Sequence, residues 1–216
     1  TAYVLALRFN LLPEEKRRNA TNRLVYDIEN GRSALWPYEQ RKGHVSSGFL
    51  GVNLINPTLA DEGYLDIAYQ LLLNEDYPSW LFQVKHGATT IWERWDGYVK
   101  GRGFQKPLMN SFNHWALGAV GEWMWRNIIG LNPDENKPGW KHFTIAPRPG
   151  GGVTWARGSY KSIRGEIVSD WKIEGGKFHL DITVPPNTSA TVRLPIKNAK
   201  SVTVGSGRHK FTEPMN

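Results

Sequence analysis

Ser111-Phe112-Asn113-His114-Trp115-Ala116-Leu117-Gly118-Ala119-Val120-Gly121-Glu122-Trp123-Met124-Trp125-Arg126-Asn127-Ile128-Ile129 is the longest and most apolar run in the chain. Its apolar residues return every three or four positions, the period of a helix face. Asn113, His114, Glu122, Arg126 and Asn127 interrupt it too often for a bilayer-spanning segment, so no membrane partner is expected. Residues 111–129 therefore read as the central helix of an α-helical array. Gly118 and Gly121 each lower helicity by about 1 kcal/mol relative to Ala, a cost expected to be offset by close packing against neighbours.

The helical period extends from Thr1 to about Gly139. Pro13-Glu14-Glu15 is a helix start, with Pro and acids in the first turn; Ala20, Leu24, Val25 and Ile28 mark its apolar face, and Gly31 should end it. Further helices are expected at residues 53–62, at 64–73 with Leu65, Ala68, Leu71 and Leu72 inward, and at 79–85, closed by Gly87.

From Trp140 the period becomes two. Phe143-Thr144-Ile145, Val153-Thr154-Trp155-Ala156, Gly165-Glu166-Ile167-Val168, Trp171-Lys172-Ile173, Phe178-His179-Leu180-Asp181-Ile182, Ala190-Thr191-Val192-Arg193-Leu194 and Ser201-Val202-Thr203-Val204 read as strands. Gly175-Gly176 joins two as a hairpin and Pro185-Pro186-Asn187 separates two more. The expected organisation is a helical domain over 1–139 followed by a β-sandwich over 140–216.

Composition fits two packed units. The 216 residues are 40% hydrophobic and 12% aromatic, which excludes a disordered chain, and the 22 Gly have no three-residue period. With no Cys there is no disulfide framework, thiolate metal site or cysteine nucleophile. The net charge of +7 lies wholly on residues 140–216, with 12 Lys plus Arg against 5 Asp plus Glu. Those bases alternate with apolar residues, as a solvated strand face requires, and no RNP, zinc-finger or helix-turn-helix pattern accompanies them, so nucleic acid is not an expected partner. The six His form no i, i+4 metal pair, and no phosphate-binding or GxSxG motif occurs, so no metal or cofactor is expected. Asn19-Ala20-Thr21 and Asn187-Thr188-Ser189 fit the glycosylation sequon.

The densest cluster of unusual residues is Gly87-Ala88-Thr89-Thr90-Ile91-Trp92-Glu93-Arg94-Trp95-Asp96-Gly97-Tyr98, between two helices. A carboxylate among aromatic rings suits sugar chemistry: flat rings stack on a sugar's C–H face while the carboxylate works at the anomeric carbon. Glu93 is the candidate general base, with Trp92 and Trp95 as the sugar wall, although in an extended chain those two point to opposite faces and one belongs to the core. The competing reading of Glu93 is a structural ion pair with Arg94 or Arg102. Asp96 before Gly97 reads as a turn residue. His114, in the first helical turn after an Asn110-Ser111 cap, is either packed or donates to a ligand hydroxyl. Glu122 reads as a buried helix residue paired with Arg126 at i, i+4.

The run from Gly87 to Gly97, the run Ser111-Phe112-Asn113-His114-Trp115-Ala116-Leu117-Gly118-Ala119-Val120-Gly121-Glu122-Trp123, and the tail around Ile145-Ala146-Pro147-Arg148-Pro149 and Ala156-Arg157-Gly158-Ser159-Tyr160 resemble the C-terminal part of bacterial α-L-rhamnosidases of glycoside hydrolase family seventy-eight. The resemblance covers nearly the whole chain. It implies the last helices of an (α/α)6 barrel followed by a C-terminal antiparallel β-sandwich. It implies an inverting hydrolase that removes terminal α-L-rhamnose from rhamnose-containing glycosides, with Glu93 matching the general base and His114 a residue that contacts the sugar. The family's general acid lies in an earlier barrel segment, and Thr1-Ala2-Tyr3 shows neither an initiator Met nor a signal pattern. The chain is thus expected to be a fragment, inactive alone, that self-associates or pairs with the missing barrel half. Its compartment is left open, with a lean toward the bacterial cytoplasm. The rival expectation is a noncatalytic carbohydrate-binding or scaffold module.

Overall fold

Thr1 precedes a first helix, α1 (Ala2–Arg8), and Pro13 then enters α2 (Glu14–Asn30), which ends at Gly31. In this computed structural model, which describes residues 1–31, 42–45 and 47–215, the chain divides into two compact units, Thr1–Gly121 and Glu122 onward. The border expected at 139/140 falls inside the second unit. Ala20, Leu24, Val25 and Ile28 of α2 are buried, as the apolar spacing requires.

In the first unit, α3 (Phe49–Asp61), α4 (Leu65–Leu73) and α5 (Trp80–Lys85) follow. α3 begins four residues before the expected start at 53 and packs against α1, α4 and the later α6 (Trp115–Gly118), so the central place in this unit belongs to α3. Inside it, Asn56 is buried and its Nδ2 donates to Ala68 O at 2.9 Å, tying α3 to α4. α4 buries Ile67, Ala68, Tyr69, Leu71 and Leu72, while Leu65 is only half-buried. A two-stranded hairpin, β1 (Tyr98–Val99) with β2 (Gly103–Phe104), was not expected from the sequence.

Residues 111–129 are not one helix. Helical geometry begins at Trp115, because His114 is extended and the backbone of residues 111, 112 and 114 is hydrogen-bonded elsewhere; α6 is followed by α7 (Val120–Trp123) and a π-helical turn, Met124–Ile129. The last carbonyls of a helix have no partner within it. Here they find them in the second unit's own residues: Trp171 Nε1 donates to Ile128 O at 2.7 Å, Ser169 Oγ to Ile129 O at 2.8 Å, and Arg148 N to Asn127 O at 2.8 Å. Gly130 closes the turn at φ +85°, where a Cβ would lie 2.3 Å from Pro147 N.

Besides the β1–β2 hairpin, the described residues form two four-stranded sheets. One has the order β10 (Gly207–Pro214), β7 (Lys177–Val184), β6 (Gly165–Glu174), β5 (Trp155–Ser162), all antiparallel. Gly175 and Gly176, at φ +58° and +71°, make the expected tight β6–β7 hairpin. The other has the order β3 (Leu131–Pro133), β4 (His142–Ile145), β8 (Ser189–Val192), β9 (Val202–Val204). In it β4 and β8 are parallel, with His142 opposite Ser189, which departs from a wholly antiparallel sandwich. The core is built from alternate residues such as Phe143 and Ile145, Phe178 and Leu180, and Ala190 and Val192. Trp140 meets Phe143 of one sheet and Tyr160 of the other, with ring centroids 5.8 and 4.7 Å away. Among the described residues no helix is long and apolar enough to cross a membrane.

Candidate active site

α5 opens with Ser79 Oγ accepting from Phe82 N at 3.1 Å and ends at His86 and Gly87. Beyond it the chain runs as an irregular segment beside residues 111–114. His114 N donates to Ile91 O and Glu93 N to Ser111 O, each at 2.9 Å, and the Thr90 hydroxyl donates to Phe112 O. This pairing sets the Glu93 segment against the His114 segment, and it is why the first four residues of the expected long helix are not helical: their backbone groups are already bonded across.

Glu93 is half-buried, and Ser111 N donates to its Oε2 at 2.9 Å. Among the described residues Oε1 has no partner and the carboxylate pairs with no cation. The two arginines that could have claimed it turn elsewhere. Arg102 Nη2 lies 2.9 Å from Asp96 Oδ2, and Arg94 Nε lies 3.9 Å from Asp96 Oδ1. Asp96 also accepts from Gln105 Nε2. It occupies a turn closed by Gly97 N donating to Arg94 O, and it is the hub that holds the β1–β2 hairpin and both guanidinium groups.

The two tryptophans part company as their spacing demands. Trp92, 4% exposed, is a core residue that meets Phe112 and Tyr98 edge-on with centroids 5.3 and 6.4 Å away. Trp95 is half-buried and meets Trp80 edge-on at 5.3 Å; Trp80 in turn donates to Leu117 O at 2.7 Å. Gln83, 2% exposed, sends Nε2 to Arg94 O at 3.0 Å and so fixes the segment from beneath.

His114 is the N-cap of α6, not a first-turn residue. Its Nδ1 accepts from Ala116 N at 3.3 Å, which puts the ring proton on Nε2. The ring stacks on Phe49, centroids 4.8 Å apart at 26°, and is half-buried. An imidazole so held presents an Nε2–H donor of fixed direction. The Glu122 side chain is 70% exposed, contrary to the buried position expected, and it pairs with Arg126 at 2.8 Å. Gly118 has its packing reason, since a Cβ would sit 3.0 Å from Ile91 Cγ1, whereas Gly121 has open space around it.

Sequence reasoning missed Ser111 and Gln83. Both act through backbone groups, one with its own N–H and the other on a carbonyl, so residue type carries no signal for either. Among the described residues no group of three or more His, Asp or Glu is placed to hold a metal ion.

The family profile for the bacterial α-L-rhamnosidase 6-hairpin glycosidase domain matches residues 1–128, and that for the bacterial α-L-rhamnosidase C-terminal domain matches residues 130–209. An α-L-rhamnosidase from Streptomyces avermitilis is 42% identical over 98% of this chain, and one from Formosa agariphila is 40% identical over all of it. The chain spans about a fifth of the length of these relatives, 21% and 22%. Among solved structures, the Streptomyces avermitilis α-L-rhamnosidase complexed with L-rhamnose superposes with a TM-score of 0.88 at 41% identity, over 98% of this chain and 21% of its own. The native α-L-rhamnosidase of Aspergillus terreus gives 0.86 at 39%, over 97% of this chain and 23% of its own.

Proposed function

Because the chain belongs to the bacterial α-L-rhamnosidase family, with that family's 6-hairpin glycosidase and C-terminal domains, we propose that the polypeptide carrying it hydrolyses terminal α-L-rhamnose from glycosides with inversion, and that Glu93 is its general base. One observation carries this reading. The Glu93 carboxylate is held by a backbone N–H on Oε2 and, among the described residues, by no arginine, because Asp96 takes both Arg94 and Arg102. A carboxylate locked in an ion pair cannot accept a proton from water, whereas one oriented through a single oxygen leaves the other to do so.

An inverting site takes two carboxyl groups about 6.5–9.5 Å apart, with water between the base and the anomeric carbon. The acid partner is assigned to the part of the relatives outside the matched fifth. His114 serves as a hydrogen-bond donor to a sugar hydroxyl through Nε2–H, and Trp95, not the core residue Trp92, supplies the aromatic surface.

Replacing Glu93 by Gln in the full-length polypeptide keeps the size and the bond to Ser111 N–H while removing the base. Turnover of a rhamnoside should fall by about 10²–10⁴, with substrate affinity largely retained. Proton NMR of the unmodified enzyme's reaction should show β-L-rhamnose first. Near-normal turnover in a folded variant, or α-L-rhamnose as the first product, overturns the assignment.

A further inference from the structure

The second unit carries a cleft of about 340 Å³ lined by Lys137, Lys141, His142, Asn187, Thr188 and Ser189. Its two walls are far apart in sequence and are stitched together by the parallel pair β4 and β8. Ser189 N donates to Lys141 O at 3.2 Å, and His142 lies opposite Ser189 in register. His142 is fixed at both ring nitrogens, Nδ1 with Ser189 Oγ at 2.7 Å and Nε2 with Thr191 Oγ1 at 3.0 Å. The other wall is held by buried Thr188, whose hydroxyl donates to Pro185 O at 2.7 Å. These contacts make the cleft a built feature of the sheet end.

The lining decides the ligand class by its chemistry. It contains no carboxylate, so it does not suit a cation, and its one ring, the His142 imidazole, is polar and there is no large aliphatic side chain, so it does not suit an apolar group. It does contain two ammonium groups. Lys85, Lys172 and Lys210 each pair with a carboxylate at 2.6–2.9 Å, but among the described residues Lys137 and Lys141 pair with none. Beside them stand the Asn187 amide and the Ser189 hydroxyl, which has hydrogen-bonding capacity left after its contact with His142. The volume falls in the range of about 300–1,000 Å³ typical of small-molecule pockets, more than a lone tetrahedral anion fills.

We propose that this cleft binds an acidic sugar unit, with the two lysines taking a carboxylate or sulfate ester and Asn187 and Ser189 taking neighbouring hydroxyls. The site lies among residues of the second unit alone and does not depend on the role of Glu93.

The test is NMR titration of the 216-residue chain with D-glucuronate, D-glucose 6-sulfate, D-glucose and inorganic sulfate. At least one of the two acidic sugars should bind about tenfold or more tightly than glucose and than inorganic sulfate, with shifts at the amides of residues 141, 142 and 187–189; which one binds better identifies the anion. Lys137→Gln with Lys141→Gln should weaken that binding about tenfold or more, while Lys161→Gln with Lys177→Gln, which removes the same charge from the other sheet, should leave it unchanged. Equal binding of glucose, equal binding of inorganic sulfate, or equal loss in both double variants would overturn the proposal.

Discussion

Gly118, Gly121 and Gly130 lie in α6, in α7 and at the cap of the π-helical turn, and the structure predicts three different outcomes for the same substitution. At Gly121 an added Cβ meets nothing within 4 Å, so Gly121→Ala should gain only the propensity difference, about 0.5–1 kcal/mol of added stability. At Gly118 the same gain is set against a Cβ 3.0 Å from Ile91 Cγ1, a side-chain contact that can yield by a few tenths of an ångström. The net should lie near zero, but Ile91 must move, and its carbonyl holds His114 N. At Gly130 two costs combine. The φ of +85° penalises any Cβ by roughly 1–2 kcal/mol, and the overlap with Pro147 N at 2.3 Å and Ala146 C at 2.6 Å is with backbone, adding about 1–3 kcal/mol. Gly130→Ala should therefore lose about 2–5 kcal/mol, a large part of a domain's stability. Urea unfolding followed by tryptophan fluorescence measures all three. A Gly130→Ala variant within about 1 kcal/mol of the parent, or a Gly121→Ala variant less stable than the parent, would refute this reading of the three glycines.

Three further outcomes are expected. His114→Ala in the full-length enzyme should cost about 1–3 kcal/mol in kcat/KM with little change in melting temperature, and a lower melting temperature with unchanged kcat/KM would make His114 a packing residue. Asp96→Ala frees Arg94 and Arg102 next to Glu93; direct loss of these partly exposed pairs is worth about 1 kcal/mol or less each, but capture of Glu93 by a guanidinium should lower kcat about tenfold, and unchanged kcat would remove Asp96 from the account of the site. Trp171→Phe removes the N–H that satisfies Ile128 O, and thermal unfolding should show a loss of about 1–3 kcal/mol beyond that of a Trp→Phe change at exposed Trp155.

Local patterns carried much of the fold. Pro13 and the two acids behind it start α2, the spacing of Ala20, Leu24, Val25 and Ile28 sets its buried face, and Gly175-Gly176 makes the β6–β7 hairpin. What the patterns hid is non-local. Residues 111–114 look helical until their backbone is seen bonded to residues 90–93. β6 looked like two strands because Ser169 and Asp170 break the apolar alternation, yet Ser169 is buried with its hydroxyl on Ile129 O. β10 is an edge strand, and an edge strand half in water needs few apolar residues to announce it. In the candidate site, Glu93 and His114 stood out by residue type. That Asp96 would draw both arginines away from Glu93 depends on the course of the β1–β2 hairpin, which no spacing rule contains.

The central claim is that Glu93 activates water, and azide tests it most directly because this anion attacks an anomeric carbon without needing a base. Glu93→Ala in the full-length enzyme should hydrolyse an activated aryl α-L-rhamnoside about 10²–10⁴ times more slowly than the parent. Adding sodium azide should restore aglycone release and yield β-L-rhamnosyl azide, the product of attack from the face the base serves. A folded Glu93→Ala variant that hydrolyses the substrate at the parent's rate, or that azide leaves inactive with no glycosyl azide formed, would contradict the assignment of Glu93 as the general base.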